Sequence, residues 1–180
     1  MKLRTLSFVV AAALLAGPVQ ADDAPYAGQQ GRSIKALSDD DIAALRKGEG
    51  MRMAKAAELN GYPGPVHVMA LAAQLGLTET QQHNVKAIFD RMSAAARPLG
   101  AELIAKEQAL DQLFATGEIT PDRLAAVTAG IAELQGRLRW VHLLAHLETR
   151  ALLTGDQIGR YRKLRGYSDQ DAPREHHHDG

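Results

Sequence analysis

PDRLAAVTAGIAELQGRLRWVHLLAHLETRAL, residues 121–152, carries apolar side chains at Leu124, Val127, Ile131, Leu134, Leu138, Val141 and Ala145, a spacing of 3, 4, 3, 4, 3, 4. That spacing is a heptad seam on one face of a long helix. Upstream, residues 79–115 repeat the pattern at Val85, Ile88, Met92, Ala95, Leu99 and Leu103. Only Thr116-Gly117-Glu118-Ile119-Thr120 joins the two segments. So short a link predicts an antiparallel hairpin with arms of about 50 Å. Pro98 inside the first arm removes a backbone donor and predicts a bend near Ala94 to Pro98.

Composition agrees with an all-α fold. Thirty-one alanines and 23 leucines stand against eight aromatic residues, a balance that favours helices over strands. Short helices are expected beside the hairpin. Ser38 precedes Asp39, Asp40 and Asp41, an N-cap with three carboxylates at the positive end of a helix dipole, and Gly48 supplies the stop. Further helices are predicted over Met51 to Leu59, Val66 to Leu75 and Gly155 to Leu164. Asn60-Gly61-Tyr62-Pro63-Gly64-Pro65 is a strong breaker.

The first 21 residues have the form of a secretory signal peptide. Lys2 and Arg4 precede an apolar run from Leu6 to Ala16, and Val19-Gln20-Ala21 gives a small-residue cleavage signal after Ala21. An apolar run of 11 residues is too short for a membrane anchor. The expected organisation is therefore a signal peptide (1–21), an N-terminal arm with short helices (22–64), a helical hairpin domain (65–167) and a charged tail (168–180). The mature chain holds 19 basic and 21 acidic groups, which argues against nucleic-acid binding. It holds no cysteine, so any metal site uses His, Met or carboxylate.

Leu77-Thr78-Glu79-Thr80-Gln81 and Leu153-Thr154-Gly155-Asp156-Gln157 share the form LTxxQ. Each reads as a helix entry: Thr78 and Thr154 are N-caps, and Gln81 and Gln157 reach back to close a capping box. Leu153 and Ile158 also stand where a hydrophobic staple forms, whereas the first copy has Gln82 in place of the apolar partner. Two such entries flanking a long hairpin, behind a signal peptide, resemble the periplasmic LTxxQ superfamily of Spy and CpxP stress proteins, zinc-resistance-associated proteins and CnrX-type heavy-metal sensors. The resemblance covers about residues 65–167. It implies a non-enzymatic, all-helical periplasmic protein, a cradle-like homodimer, and a role as metal-binding sensor or resistance protein, ATP-independent chaperone for unfolded proteins, or partner of a membrane signalling protein.

His142 and His146, four apart on one helix face, are the leading candidate ligands. Relative to the heptad seam they fall on its flank. Counting from Glu118 at the turn, Asp90 lies level with His146, although two positions off the stripe of Ile88 and Met92. His67 precedes the first motif on a helix that must fold back near the hairpin base. The metal-sensing branch implies the same layout: a histidine ahead of the first motif, a carboxylate early in the first arm and an H-x3-[HM] pair late in the second. His67 and the pair match in kind, while Phe89 occupies the expected carboxylate place with Asp90 beside it. His176, His177 and His178 form a tract in the tail of a kind that can bind metal, the alternative being a remnant of a purification tag. Zn, Ni, Co or Cu suit such ligands. Met51 and Met53 read as packing residues. Catalytic signatures are missing: the sequence has no G-x-S-x-G, phosphate loop, cysteine nucleophile or H-E-x-x-H. The triple aspartate fails as an EF-hand, since Ala44 and Gly50 stand where Gly and Glu are required.

Overall fold

The computed structural model describes residues 24–167; the expected signal peptide and the tail histidines lie outside the described residues. The chain divides into two compact units at Gly31/Arg32. Within the first, the described residues form a turn in which Ala27 N–H donates to Ala24 O at 2.7 Å and Gln29 N–H to Tyr26 O at 3.0 Å.

The second unit is helical, and no strand occurs among the described residues. Seven helices follow in order: α1 (Asp39–Lys47), α2 (Lys55–Leu59), α3 (Pro65–Ala70), α4 (Ala72–Leu75), α5 (Glu79–Ala115), α6 (Pro121–Leu152) and α7 (Gly155–Leu164). The hairpin of α5 and α6 is the one the sequence predicts. Ser38 caps α1: its Oγ accepts from Asp41 N–H at 3.1 Å, and the Asp41 carboxylate accepts from Ser38 N–H at 3.0 Å. These hydrogen bonds hold the Asp41 carboxyl below its ordinary range. A cap of this kind contributes about 1 kcal/mol. Two expected boundaries change. The helix expected from Met51 begins only at Lys55, because Met51 (φ 42°) and Arg52 (φ 64°) are left-handed. The helix expected to end at Leu75 is interrupted at Leu71 (φ −104°, ψ 13°).

Pro98 does not end α5. The proline removes the donor to the Ala94 carbonyl, and Ala94 is exposed, on a side of the helix that is open to solvent. The seam itself differs from a strict heptad. Val85, Ile88, Met92, Ala96, Leu99 and Leu103 are buried on α5, and Ile131, Leu134, Leu138, His142, Ala145 and Thr149 on α6. Both rows run 3, 4, 4, 3, 4. Ala95 is exposed where Ala96 is buried, and His142 takes the place expected for Val141. A repeat of 11 residues is 3.67 per turn, which keeps the stripe on one side of a nearly straight helix instead of requiring a left-handed supercoil.

Residues 32–64 cover part of this hairpin. Ile34 and Leu45 join Ala96, Leu99, Leu103, Ile131, Leu134 and Leu138 in one core. α1 approaches α5 closely at Gly100, where an added Cβ would stand 2.2 Å from the Leu45 carbonyl oxygen. Nearer the turn, Asp111 accepts from both the backbone N–H of Lys35 (3.2 Å) and its Nζ (3.3 Å).

A second core forms at the base, from Val68, Leu75, Leu77, Val85, Leu153 and Tyr161. Here the two LTxxQ entries meet. Each closes its capping box, with Gln81 Oε1 accepting from Thr78 N–H and Gln157 Oε1 from Thr154 N–H, both at 3.0 Å. The glutamines also bond each other: Gln81 Nε2 lies 2.9 Å from Gln157 Oε1, and Gln157 Nε2 lies 3.1 Å from Gln81 Oε1. Each amide then donates to the carbonyl just ahead of the opposite motif, Gln81 to Leu152 O (2.8 Å) and Gln157 to Gly76 O (3.4 Å). The arrangement is a local pseudo-twofold. Ile158 packs on the core containing Leu153, as the staple requires, while Gln82 donates instead to Leu77 O at 3.1 Å.

Candidate metal site

His142 and His146 point from α6 toward the segment that leads from α1 to α3. His142 is buried, 3% exposed, at the centre of the seam rather than on its flank. The eleven-residue repeat moves it there. Gly50 lies over its ring, since a Cβ at that position would be 3.3 Å from His142 Nδ1. Burial, and then the neighbouring His146, push its pKa below the ordinary histidine value, so the ring is neutral at pH 7. Its Nε2 is buried without a hydrogen-bond partner, a costly state for a polar atom.

His146 is half-buried beneath the breaker segment. Its Nδ1 lies 2.7 Å from the Tyr62 carbonyl oxygen, which assigns the proton to Nδ1 and leaves the lone pair on Nε2. Metal-ligating histidines are commonly oriented by just such an N–H to carbonyl bond on the other nitrogen. Gly64 packs against the ring edge; a Cβ there would stand 2.8 Å from both Cε1 and Nε2. Two glycines of the connecting segment are thus required by two histidine rings. Arg150, one turn further along α6, donates to Gly61 O and stacks 4.5 Å from the centre of the Tyr62 ring.

Glu58, at the end of α2, is the carboxylate that the sequence reading missed. Its Oε2 accepts from Gly64 N–H at 3.3 Å and lies 3.8 Å from His146 Nδ1. Oε1 accepts from the Tyr161 hydroxyl at 2.5 Å and lies 3.4 Å from Arg165 Nε. Burial and the bond to Glu58 raise the Tyr161 hydroxyl well above its ordinary value. His67 lies in the same neighbourhood, on the wall of a cavity of about 180 Å³ shared with Val66, Leu71 and Arg165. Burial, then the charge of Arg165, lower its pKa; Glu58 opposes this and His146 adds to it. The breaker at 60–65 turns the chain after α2 and brings Glu58 to His146, but nothing in its sequence gives the direction of that turn.

Asp90 takes no part in this group. It is exposed and paired with Lys86 on its own helix at 2.6 Å, two positions off the buried stripe. Among the described residues, no three His, Cys, Asp or Glu side chains stand close enough together to hold an ion as they are placed.

Residues 48–160 match the model of the family described as heavy-metal resistance. The chain belongs to the heavy-metal resistance family. Gly48 to Arg160 takes in His67, His142, His146, Glu58 and both LTxxQ entries of this family member. No curated protein and no solved structure matches the chain. Among the described residues, no helix is long and apolar enough to cross a membrane.

Proposed function

We propose that this chain is a non-enzymatic, exported protein of heavy-metal resistance that binds one divalent transition ion, Zn, Ni, Co or Cu, against α6. The ligands proposed are His146 through Nε2, with Glu58 and His67 from the two elements that face it, and His142 as the neighbouring imidazole. The supporting observation is the bond from His146 Nδ1–H to Tyr62 O, the orientation that prepares the other nitrogen for a metal. Family membership supports the same reading. Binding would require Gly64 alone to draw back from the ring edge, with the bond to Tyr62 O kept. A nitrogen and carboxylate set without thiolate suits these borderline ions.

Calorimetric titration of the full mature chain with Zn, Ni and Cu tests this, beside a variant in which His176, His177 and His178 are all changed to Ala. Binding is expected to persist in the tail variant. His146→Ala and Glu58→Gln, made in that background, are expected to weaken it about 10–100-fold with helical content unchanged. Equal affinity in both would sink the assignment.

A second reading, an ATP-independent chaperone, is favoured by the exposed apolar side chains of the arms. Phe114 is 57% exposed, Trp140 62% and Leu147 53%, and Trp140 and Leu147, seven apart on α6, share one face. A homodimer would use the same faces.

A further inference from the structure

A cavity of about 380 Å³ opens between the connecting segment and the middle of the hairpin, distinct from the histidine cluster. Its floor is apolar, built from Leu37, Leu45 and Leu103 with Met51 and Met53. Three cations, Arg52, Lys55 and Arg139, stand at its rim, with Glu107 as the single carboxylate. None of the three cationic side chains forms an ion pair or hydrogen bond among the described residues. Met51 and Arg52 line this cavity in the left-handed conformation, with φ of 42° and 64°. Non-glycine residues adopt that conformation at a cost, and such strain collects where a segment is held for a ligand.

The chemistry of the lining selects the ligand class. Three unpaired cations against one carboxylate repel a metal ion, so the two thioethers are not a copper site. No aromatic ring lines the cavity to stack a sugar or a base. Apolar floor and cationic rim together match a molecule with one hydrocarbon chain and one anionic head. The volume is more than twice the ~150 Å³ in which an apolar lining holds benzene, and within the size range of small-molecule sites. Methionine walls adapt to a flexible chain. Burial pushes the Glu107 carboxyl above its ordinary range.

We propose that this cavity is a binding site for a free fatty acid, its chain on Leu37, Leu45, Leu103 and the two methionines and its carboxylate at Arg52 and Arg139. An exported protein that takes up fatty acid would sense or buffer membrane damage independently of metal.

Calorimetry with laurate below its critical micelle concentration, on the full mature chain with chelator present, tests the site. Expected are saturable binding of one laurate, at least tenfold weaker binding of dodecyl maltoside, which has the same chain and no charge, and at least tenfold weakening of laurate in Arg52→Gln/Arg139→Gln. Both arginines are exposed, so the fold is unaffected. Ala56→Phe, at the cavity wall, is expected to block laurate while circular dichroism stays unchanged. Absence of saturable binding, equal affinity for laurate and maltoside, an undiminished Ala56→Phe variant, or binding of lysophosphatidylglycerol alone would each overturn the proposal. Metal affinity is expected to be the same in all these variants, so failure here and failure of the metal site are separately visible.

Discussion

The two ends of the hairpin are made of the same two helices and yet differ in almost everything else. At the base, Val68, Leu75 and Tyr161 are 1% exposed or less, and the amides of Gln81 and Gln157 are satisfied by each other and by the carbonyls ahead of the opposite motif. At the turn, no residue between Ile104 and Ile131 is buried, and Phe114 and Leu124 lie open. The helices persist through the bare end because their termini are capped. Thr120 Oγ1 accepts from Arg123 N–H at 3.3 Å, and Gly117 supplies the left-handed residue (φ 71°) after α5. Burial has another origin. Two helices bury only their shared stripe, so a core forms only where residues 32–64 or the short helices α3, α4 and α7 add a third layer.

That difference can be broken most directly by truncating one side chain at each end. Leu138, 1% exposed in the core beneath α1, should lose about 2–5 kcal/mol on replacement by Ala, from lost transfer energy and the cavity left behind. Phe114→Ala should change urea-unfolding stability by no more than about 0.5 kcal/mol. A large loss at Phe114 would mean that a second copy or another partner covers the turn end in solution.

A smaller effect is expected in the motif pair. Gln81→Ala and Gln157→Ala each remove a capping-box acceptor and leave buried or half-buried groups short of a partner, at about 1–2 kcal/mol apiece. Since the two amides bond each other, a double-mutant cycle should return a coupling of at least about 0.5 kcal/mol. Additive losses would reduce the motifs to two independent helix caps.

Much of this was legible in the sequence because it is local. The starts of α5 and α7 follow from Thr78 and Thr154 as caps, and that of α6 from Pro121 after the short link at 116–120, all signals within a few residues. The heptad reading failed at Ala95 and Val141 because apolar residues stand at neighbouring positions (Ala94 to Ala96; Val141, Leu143 and Leu144), and only the third layer decides which of them is covered. The sequence pattern therefore puts His142 on a flank and Val141 at the seam centre. Glu58 was illegible for a different reason. Nothing in Lys55 to Leu59 marks it as a ligand; its place depends on a turn at 60–65 whose direction is set by contacts with α6 and α7. Local chemistry thus fixes the rods, and long-range packing fixes the site.

The mildest of these tests uses pH, and it acts on the covered part of the hairpin alone. His142 keeps a pKa below the ordinary value of about 6.5 because burial penalises its charged form. Above that pH both the folded and the unfolded chain hold the ring neutral, and the full stability is present. As pH falls below about 6.5, the unfolded chain takes up a proton that the folded chain refuses, so stability declines until the lowered folded pKa is reached. His67, lowered by its burial and by Arg165, adds a loss of the same sign, whereas the lowered Asp41 carboxyl acts only in the more acidic window below its ordinary value. Melting temperatures of the metal-free protein, measured in chelator from pH 7.5 to pH 5, should therefore fall with acid. His142→Asn should flatten that slope whatever it does to the absolute value, because Asn does not titrate, so the share of the buried ring is lost and only that of His67 is left. A slope unchanged in the variant would mean that the segment over Gly50 already lets water reach the ring, and the covered end would then be as open at His142 as the turn end is at Phe114.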